Sequence, residues 1–276
     1  MSGTLYLVST PIGNLSDITL RAIATLRMVD QIIAEDTRNT RRILSRYQIA
    51  TPFAASYYQG VERERITPLL TLLNAGKDLA LVSDAGTPLI SDPGYPLVRA
   101  ALEQEISVVP IPGATALITA LTASGLPTDH FIFDGTLPRK QSEREAYLNS
   151  IASEKRTIIV HSSPHRLFVD LEAIASVLSE RTIVLARELT KIHEEFLRGS
   201  AREILDVLQA RGDARGECIL LISGAEPSRE QGDRELGAEL AAILREEGIS
   251  SKSTLRILMH ATNMKRNDAY RLLHEV

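Results

Sequence analysis

Short apolar, β-branched runs alternate with longer stretches of helical spacing along residues 1–123. The runs at 5–9, 31–34, 79–83 and 107–111 have strand character, while 18–28, 38–47, 95–105 and 115–123 carry helical spacing or composition. This alternation predicts an α/β domain in which helices cover a parallel sheet. Asp17 stands where it can cap the first helix.

The turn-rich stretch SGLPTDH at 124–130 interrupts the pattern and sets a domain boundary. A second α/β domain is expected over 124–225, with strands at 131–133, 156–160, 182–186 and 218–222 and helices at 142–153, 166–178 and 201–210. HEEFLRGS at 193–200 adds a further strand and makes the second sheet mixed. From Glu226 to Glu247 the chain is polar and acidic, and the last 26 residues then hold five Lys or Arg against Asp268 and Glu275, a balance of +3. Two short helices joined at 261–263 suit these last 26 residues, either as a helix-turn-helix-like unit or as packed helices that close a domain, and 226–276 as a whole is read as a helical tail.

A chain of 276 residues, 44% of them hydrophobic, is long enough for two buried cores. No run approaches the roughly 18 apolar residues that cross a bilayer, and the N-terminus lacks a signal-like core, so a soluble, cytoplasmic protein without membrane partners is expected. The single cysteine, Cys218, lies in the apolar run CILLIS and is read as a core residue. The six histidines are scattered apart from His161 and His165, and with a single cysteine in the chain no metal site is expected. With 31 basic and 35 acidic residues the net charge is -4, which excludes binding of nucleic acid by bulk charge and makes any RNA contact local.

Three Gly/Pro loops each follow an apolar strand: STPIGNL at 9–15, SDAGTPLISDPG at 83–94 and PIPGAT at 110–115. Strand carboxyl ends of an open parallel sheet form the crevice where ligands bind, and glycine lets backbone approach closely. Neither GxxxxGK[ST] nor a strand followed by GxGxxG is present, which disfavours a P-loop or a common dinucleotide site. Main-chain groups in such loops suit a zwitterionic amino acid joined to a nucleoside.

Several side chains carry candidate chemistry. Asp84 follows LALVS and is placed to accept from a ligand ammonium or amide, or to cap a turn. Glu35 and Asp36 end the run QIIA, and only one of two adjacent residues faces a cleft. Asp36 precedes the helix-like TRNTRR and is read either as a base or as its N-cap. Arg38, Arg41, Arg42 and Arg46 recur at spacings of three and four, forming one side of a helix: a phosphate-binding stripe or a solvated face. Arg139 and Lys140, with Arg144, suggest a second basic patch. Arg187, Glu188 and Lys191 follow the strand TIVLA and suit either RNA contact or an internal ion-pair cluster.

The segments LYLVSTPIGNLSDITLRA, AEDTRNTRRIL, LVSDAGTPLISDPGYPLV, PGATALITALTASGLPTD, LPRK, SPHRL and ARELTK occur in this order. Together, over about residues 5–223, they resemble the ribosomal RNA methyltransferase branch of the tetrapyrrole-methylase family. The resemblance implies two α/β lobes of the class III methyltransferase type plus a small helical tail, commonly in a homodimer, with S-adenosylmethionine folded in a cleft between lobes. By position it assigns cofactor contacts to Ile12, Gly13, Asp84, Ala85, Gly86, Thr87, Ile90, Thr115, Ala116 and Ser162. It implies 2′-O-methylation of a cytidine in the decoding region of 16S rRNA, free or in the small ribosomal subunit. RNA would then be held by Arg38, Arg41, Arg42, Arg139, Lys140 and Arg187. A ribose hydroxyl must lose its proton during methyl transfer, and Asp36, Glu188 or neutral Lys191 are candidate acceptors. The sequence departs from the branch's usual pattern at Tyr58, His161 and Ser162, which occupy positions of a His, a Tyr and a Glu, and PGATA at 112–116 replaces PGPSA. A methyltransferase acting on a tetrapyrrole or diphthamide precursor and a non-catalytic cofactor-binding assembly protein are the alternative functions.

Overall fold

LALV and QIIA are buried almost throughout, as the inner strands of a parallel sheet covered on both faces must be. The computed structural model describes residues 2–212, 216–226, 229–262 and 264–275. The first sheet contains β1 (Thr4–Val8), β2 (Gln31–Ala34), β3 (Phe53–Ser56), β4 (Leu79–Val82) and β5 (Ser107–Ile111). All pairs are parallel, in the order β3-β2-β4-β1-β5. Leu5, Ile33, Leu79 and Leu81 pack with α3 (Glu62–Asn74) and α4 (Tyr95–Glu103). Val8, Ile32, Ala80 and Val82 pack with α1 (Leu20–Met28) and α2 (Thr37–Arg46) on the other face. Strand alternation thus divides one apolar set between two helix layers.

Within residues 1–123, β3 and α3 lie outside the predicted pattern. β3 has only four residues, FAAS, and α3 contains Pro68, so neither shows a clear period. The first helix starts at Leu20 with Thr19 as its N-cap, its hydroxyl accepting from the Ala22 amide at 3.0 Å. Asp17 instead ends a 3-10 turn, Leu15–Asp17, whose cap is Asn14. A hydroxyl adjacent to the helix replaces the carboxylate two residues earlier as the cap.

The second sheet comprises β6 (Phe131–Thr136), β7 (Thr157–Ser162), β8 (Ile183–Arg187), β9 (Glu195–Gly199) and β10 (Cys218–Ile222), in the order β6-β7-β10-β8-β9. It is mixed, as the sequence predicts: β6 and β7 are parallel and the other pairs antiparallel. One face is covered by α6 (Gln141–Ser150), α7 (Leu167–Val177) and α8 (Ala201–Arg211). The opposite face receives α5 (Ala116–Ser124) together with Ile12 and Leu189. Residues up to Gly224 form one compact unit, so the space between the two sheets lies within one body.

Residues from Ala225 form a second unit. Its helices α9 (Arg229–Glu246), α10 (Ser251–Ala261) and α11 (Arg266–Glu275) each touch the other two around Ala241, Leu258 and Ala269. The joint expected at 261–263 includes Asn263, which lies outside the described residues. Among the described residues no helix is long and apolar enough to cross a membrane.

Candidate active site

The loops after β1, β4 and β5 are laced together at the strand ends. Thr10 and Gly86 exchange backbone hydrogen bonds of 2.8 and 3.1 Å, and the Ser9 and Thr87 hydroxyls lie 2.9 Å apart. Thr87 also donates to the Ala114 carbonyl at 3.2 Å. Gly86 has φ +82, so a side chain there would be strained. Leu89 and Ser91 hold the same left-handed backbone without being glycine, at φ 73 and 68. Such conformations cost free energy and persist where surrounding structure enforces them.

These loops enclose a cavity of about 330 Å³. One wall is acidic. Glu35 accepts the Asp84 amide at 3.2 Å, and Asp84 in turn accepts the amides of Asp36 at 3.0 Å and of the Asn39 side chain at 2.8 Å. Burial raises the Glu35 pKa, and the charges of Asp84 and Asp36 add to the rise. Asp92 is pushed up to about 6, first by burial and then by repulsion from Glu35 and Asp84, against a hydrogen bond from Ser83. A further wall is the start of α5, where Thr115 is the N-cap but makes no side-chain cap bond. Ala116 and Leu117 at this helix start also line the cavity.

The second sheet supplies the opposite wall: His161, Ala186, Glu217, Cys218 and Ile219, with Leu189. His161 packs edge-on against Phe133 at 5.3 Å, and burial lowers its pKa with Glu217 opposing, so the imidazole is neutral at pH 7. Burial pushes the Cys218 thiol up to about 11, leaving it a poor nucleophile. Among the described residues no group of three His, Cys, Asp or Glu is arranged to hold a metal.

Of the ten residues with assigned cofactor contacts, Ile12, Asp84, Ala85, Gly86, Thr87, Ile90, Thr115 and Ala116 line this one cavity. Gly13 lies beside it, where a Cβ would meet Lys191 and Thr190 side-chain atoms at 2.7 Å; its bare backbone lets the first loop touch the second lobe. Ser162 is buried and its hydroxyl bonds Asp170 at 2.8 Å, away from the cavity wall.

The three proton-acceptor candidates are all engaged elsewhere. Asp36 is the N-cap of α2, accepting the Arg38 amide at 2.8 Å and its guanidinium, and these bonds hold its pKa down at about 2. A carboxylate so weakly basic is a poor proton acceptor. Glu188 is lowered first by its hydrogen bond from Lys191. For Lys191 burial opposes the charge, but bonds to Glu188 at 2.9 Å and Glu217 at 3.1 Å outweigh it and raise the pKa. Lys191 is therefore an ammonium at neutral pH.

The arginine positions of α2 form one exposed side, with Thr40, Ile43 and Leu44 buried opposite. Arg41 lies 5.7 Å over the Phe53 ring, and Arg42 is exposed. Arg139 and Lys140 are exposed beside α6, whereas Arg144 is buried and takes no part in a surface patch. Arg187 is also buried and pairs with Glu195 at 3.3 Å, which removes it from direct contact with a surface polyanion. Asp92 and Glu217 are cavity groups that residue spacing does not expose, and of the adjacent pair Glu35 and Asp36 it is Glu35 that lines the cavity.

The chain matches the model of the tetrapyrrole (corrin/porphyrin) methylases over residues 4–205. It is 46% identical to the ribosomal RNA small subunit methyltransferase I of Synechocystis sp., covering 99% of this chain and 98% of that protein. With the protein of the same name from Micromonospora olivasterospora it shares 44% identity, over 98% and 86% of the two chains. Among solved structures it resembles the Thermus thermophilus uroporphyrin-III C-methyltransferase complexed with S-adenosyl homocysteine, at TM-score 0.56 and 18% identity, covering 80% and 97%. A cobalt precorrin-4 methyltransferase matches at TM-score 0.59 and 18% identity, covering 80% and 94%.

Proposed function

The chain belongs to the tetrapyrrole (corrin/porphyrin) methylase family, and from that membership and its site we propose that it methylates small-subunit ribosomal RNA, using S-adenosylmethionine, on the 2′ hydroxyl of a decoding-region cytidine. The observation that carries the reading is the joining of eight of the ten assigned contact residues around one cavity between two sheets. The extent of likeness favours RNA over a tetrapyrrole. The ribosomal RNA methyltransferases align over 98–99% of the chain at 44–46% identity, whereas the tetrapyrrole enzymes share its fold at 18% identity over 80%.

The residues fit such a cofactor. Carboxylates of Asp84, Asp92 and Glu35 suit a cationic end, the N–H groups at the start of α5 suit a carboxylate, and Ile12, Leu189 and Ile219 offer apolar cover. S-adenosylmethionine, when bound, supplies a methyl group activated by its sulfonium. The chain's own contribution is to hold the acceptor in line and to take its proton. His161, neutral and on the wall opposite the acids, is the proton acceptor in this reading, and the Lys191 ammonium, bonded to the cavity residue Glu217, lowers the cost of charge on the ribose oxygen. The exposed Arg41 and Arg42 lie on α2, which starts two residues after Glu35, and hold phosphate in this reading. The reading places the two lobes as cofactor domains over 1–123 and 124–225, with 226–276 as an accessory tail, in a cytoplasmic homodimer.

Incubation with methyl-labelled S-adenosylmethionine and either small ribosomal subunits or a tetrapyrrole tests the acceptor class. Label in 16S rRNA is expected. Label only in the tetrapyrrole, or in ribosomal protein, would overturn the reading.

A further inference from the structure

The segment 137–140 is anchored from beneath by two arginines. Arg166 donates to the carbonyls of Leu137 at 2.7 Å and Pro138 at 3.0 Å. Arg144, itself buried, donates to the carbonyls of Pro138 and Arg139, both at 3.1 Å. Three consecutive carbonyls therefore face guanidinium groups, while Arg139 and Lys140 are exposed.

Both guanidiniums converge on Asp170, which is 1% exposed. Arg166 reaches its Oδ1 at 3.1 Å, Arg144 lies 3.9 Å from the same oxygen, and Ser162 donates to Oδ2 at 2.8 Å. A buried carboxylate is costly unless paired and hydrogen-bonded, and Asp170 has both kinds of partner. One carboxylate against two guanidiniums leaves a net positive charge beneath a segment whose outer side chains are Arg139 and Lys140, the latter paired with the exposed Glu143 at 2.9 Å. Ser162 directly follows the cavity residue His161 in β7, so the network starts at a strand end that forms the site.

We propose that Asp170 is a positioning residue for the RNA substrate: through Arg166 and Arg144 it fixes segment 137–140 so that Arg139 and Lys140 meet a backbone phosphate of the acceptor strand. The inference rests on the ribosomal RNA reading above and adds a second grip, separate from the α2 arginines. Fixing the backbone in advance removes ordering cost at binding. Asp170 itself touches neither RNA nor cofactor.

The test is a mutant cycle on the full chain, with small ribosomal subunits from a strain lacking the gene as probe. Asp170→Asn is expected to raise the subunit KM by about tenfold, with kcat and S-adenosylmethionine Kd each within about twofold, and R139A/K140A is expected to do the same. Because both act through one segment, adding Asp170→Asn to R139A/K140A should change KM by less than about twofold further. Arg166→Lys is the second variant: its ammonium keeps the charge but lacks the planar fork, so it should give the same KM-only pattern even where Asp170→Asn fails to fold. Fully multiplicative losses, or cofactor affinity falling in parallel, would overturn the positioning role while leaving the RNA reading intact. No methylation of subunits by the wild-type protein would overturn the reading and the inference together.

Discussion

Glu35 and Asp84 tie the ends of two neighbouring strands to each other: the Asp84 amide donates to the Glu35 carboxylate at 3.2 Å, and the Asp84 carboxylate accepts the amide of Asp36 at 3.0 Å. This exchange sets the carboxyl ends of β2 and β4 side by side under the cavity and places two negative charges on one wall. Asp84→Asn keeps an oxygen for the Asp36 amide and removes the charge. Calorimetry should then show S-adenosylmethionine affinity reduced by about tenfold, corresponding to about 1.4 kcal/mol, with little change in fold. An unchanged affinity would mean that Asp84 serves the loop alone.

Asp92 should give ligand binding in the cavity a pH dependence. Its folded pKa, about 6, lies above the ordinary aspartate value, so protonation below pH 6 neutralises part of the acidic wall. Affinity for the cationic cofactor should be flat above about pH 7 and fall by up to about tenfold per unit below 6. Stability has the opposite sign. A carboxyl whose pKa is raised on folding destabilises the fold above that pKa, and the penalty is relieved as pH falls from about 6 toward the unfolded value near 4. Asp92→Asn should therefore stabilise the protein at pH 7.5 by about 1 kcal/mol, well below the full shift because the carboxyl is only partly buried. It should also flatten the binding profile. Thermal melts and titrations at several pH values check both signs.

Strand-loop patterning made the two sheets and the three loops around the cavity legible in the sequence. Side-chain direction was less accessible. Glu35 and Asp36 are adjacent, and the helix that starts at Thr37 takes Asp36 as its N-cap, which leaves Glu35 to face the cavity. The same alternation in β7 turns His161 to the cavity and Ser162 toward Asp170. Asp92 enters the site through a loop with left-handed Leu89 and Ser91, a path that residue spacing does not encode. β3 and α3 escaped periodicity because one is short and alanine-rich and the other contains a proline.

His161 should separate chemistry from binding. His161→Phe retains an aromatic ring opposite Phe133 but has no proton acceptor, so kcat is expected to fall by about 100-fold while cofactor Kd stays within about twofold. Single-turnover methylation at saturating cofactor measures this. A kcat within about twofold of wild type would move the acceptor role to another group.

The α2 arginines should act on RNA alone. Arg41 and Arg42 are exposed and neither lines the cavity, so R41A/R42A should weaken subunit binding by on the order of 10- to 100-fold at low salt and reduce its salt dependence by about two phosphate contacts. Cofactor affinity should not change. Filter binding across a salt series, with calorimetry for the cofactor, distinguishes this from a general loss of fold.

The most direct measurement is nucleoside mass spectrometry of 16S rRNA from small subunits of a strain lacking the gene, before and after treatment with the purified protein and isotopically labelled S-adenosylmethionine. Labelled 2′-O-methylcytidine is expected at a single decoding-region site, formed about 100-fold more slowly by His161→Phe and at reduced yield with R41A/R42A. Label on a base, on ribosomal protein or nowhere in the subunit, under conditions where the protein binds the cofactor, would contradict this expectation.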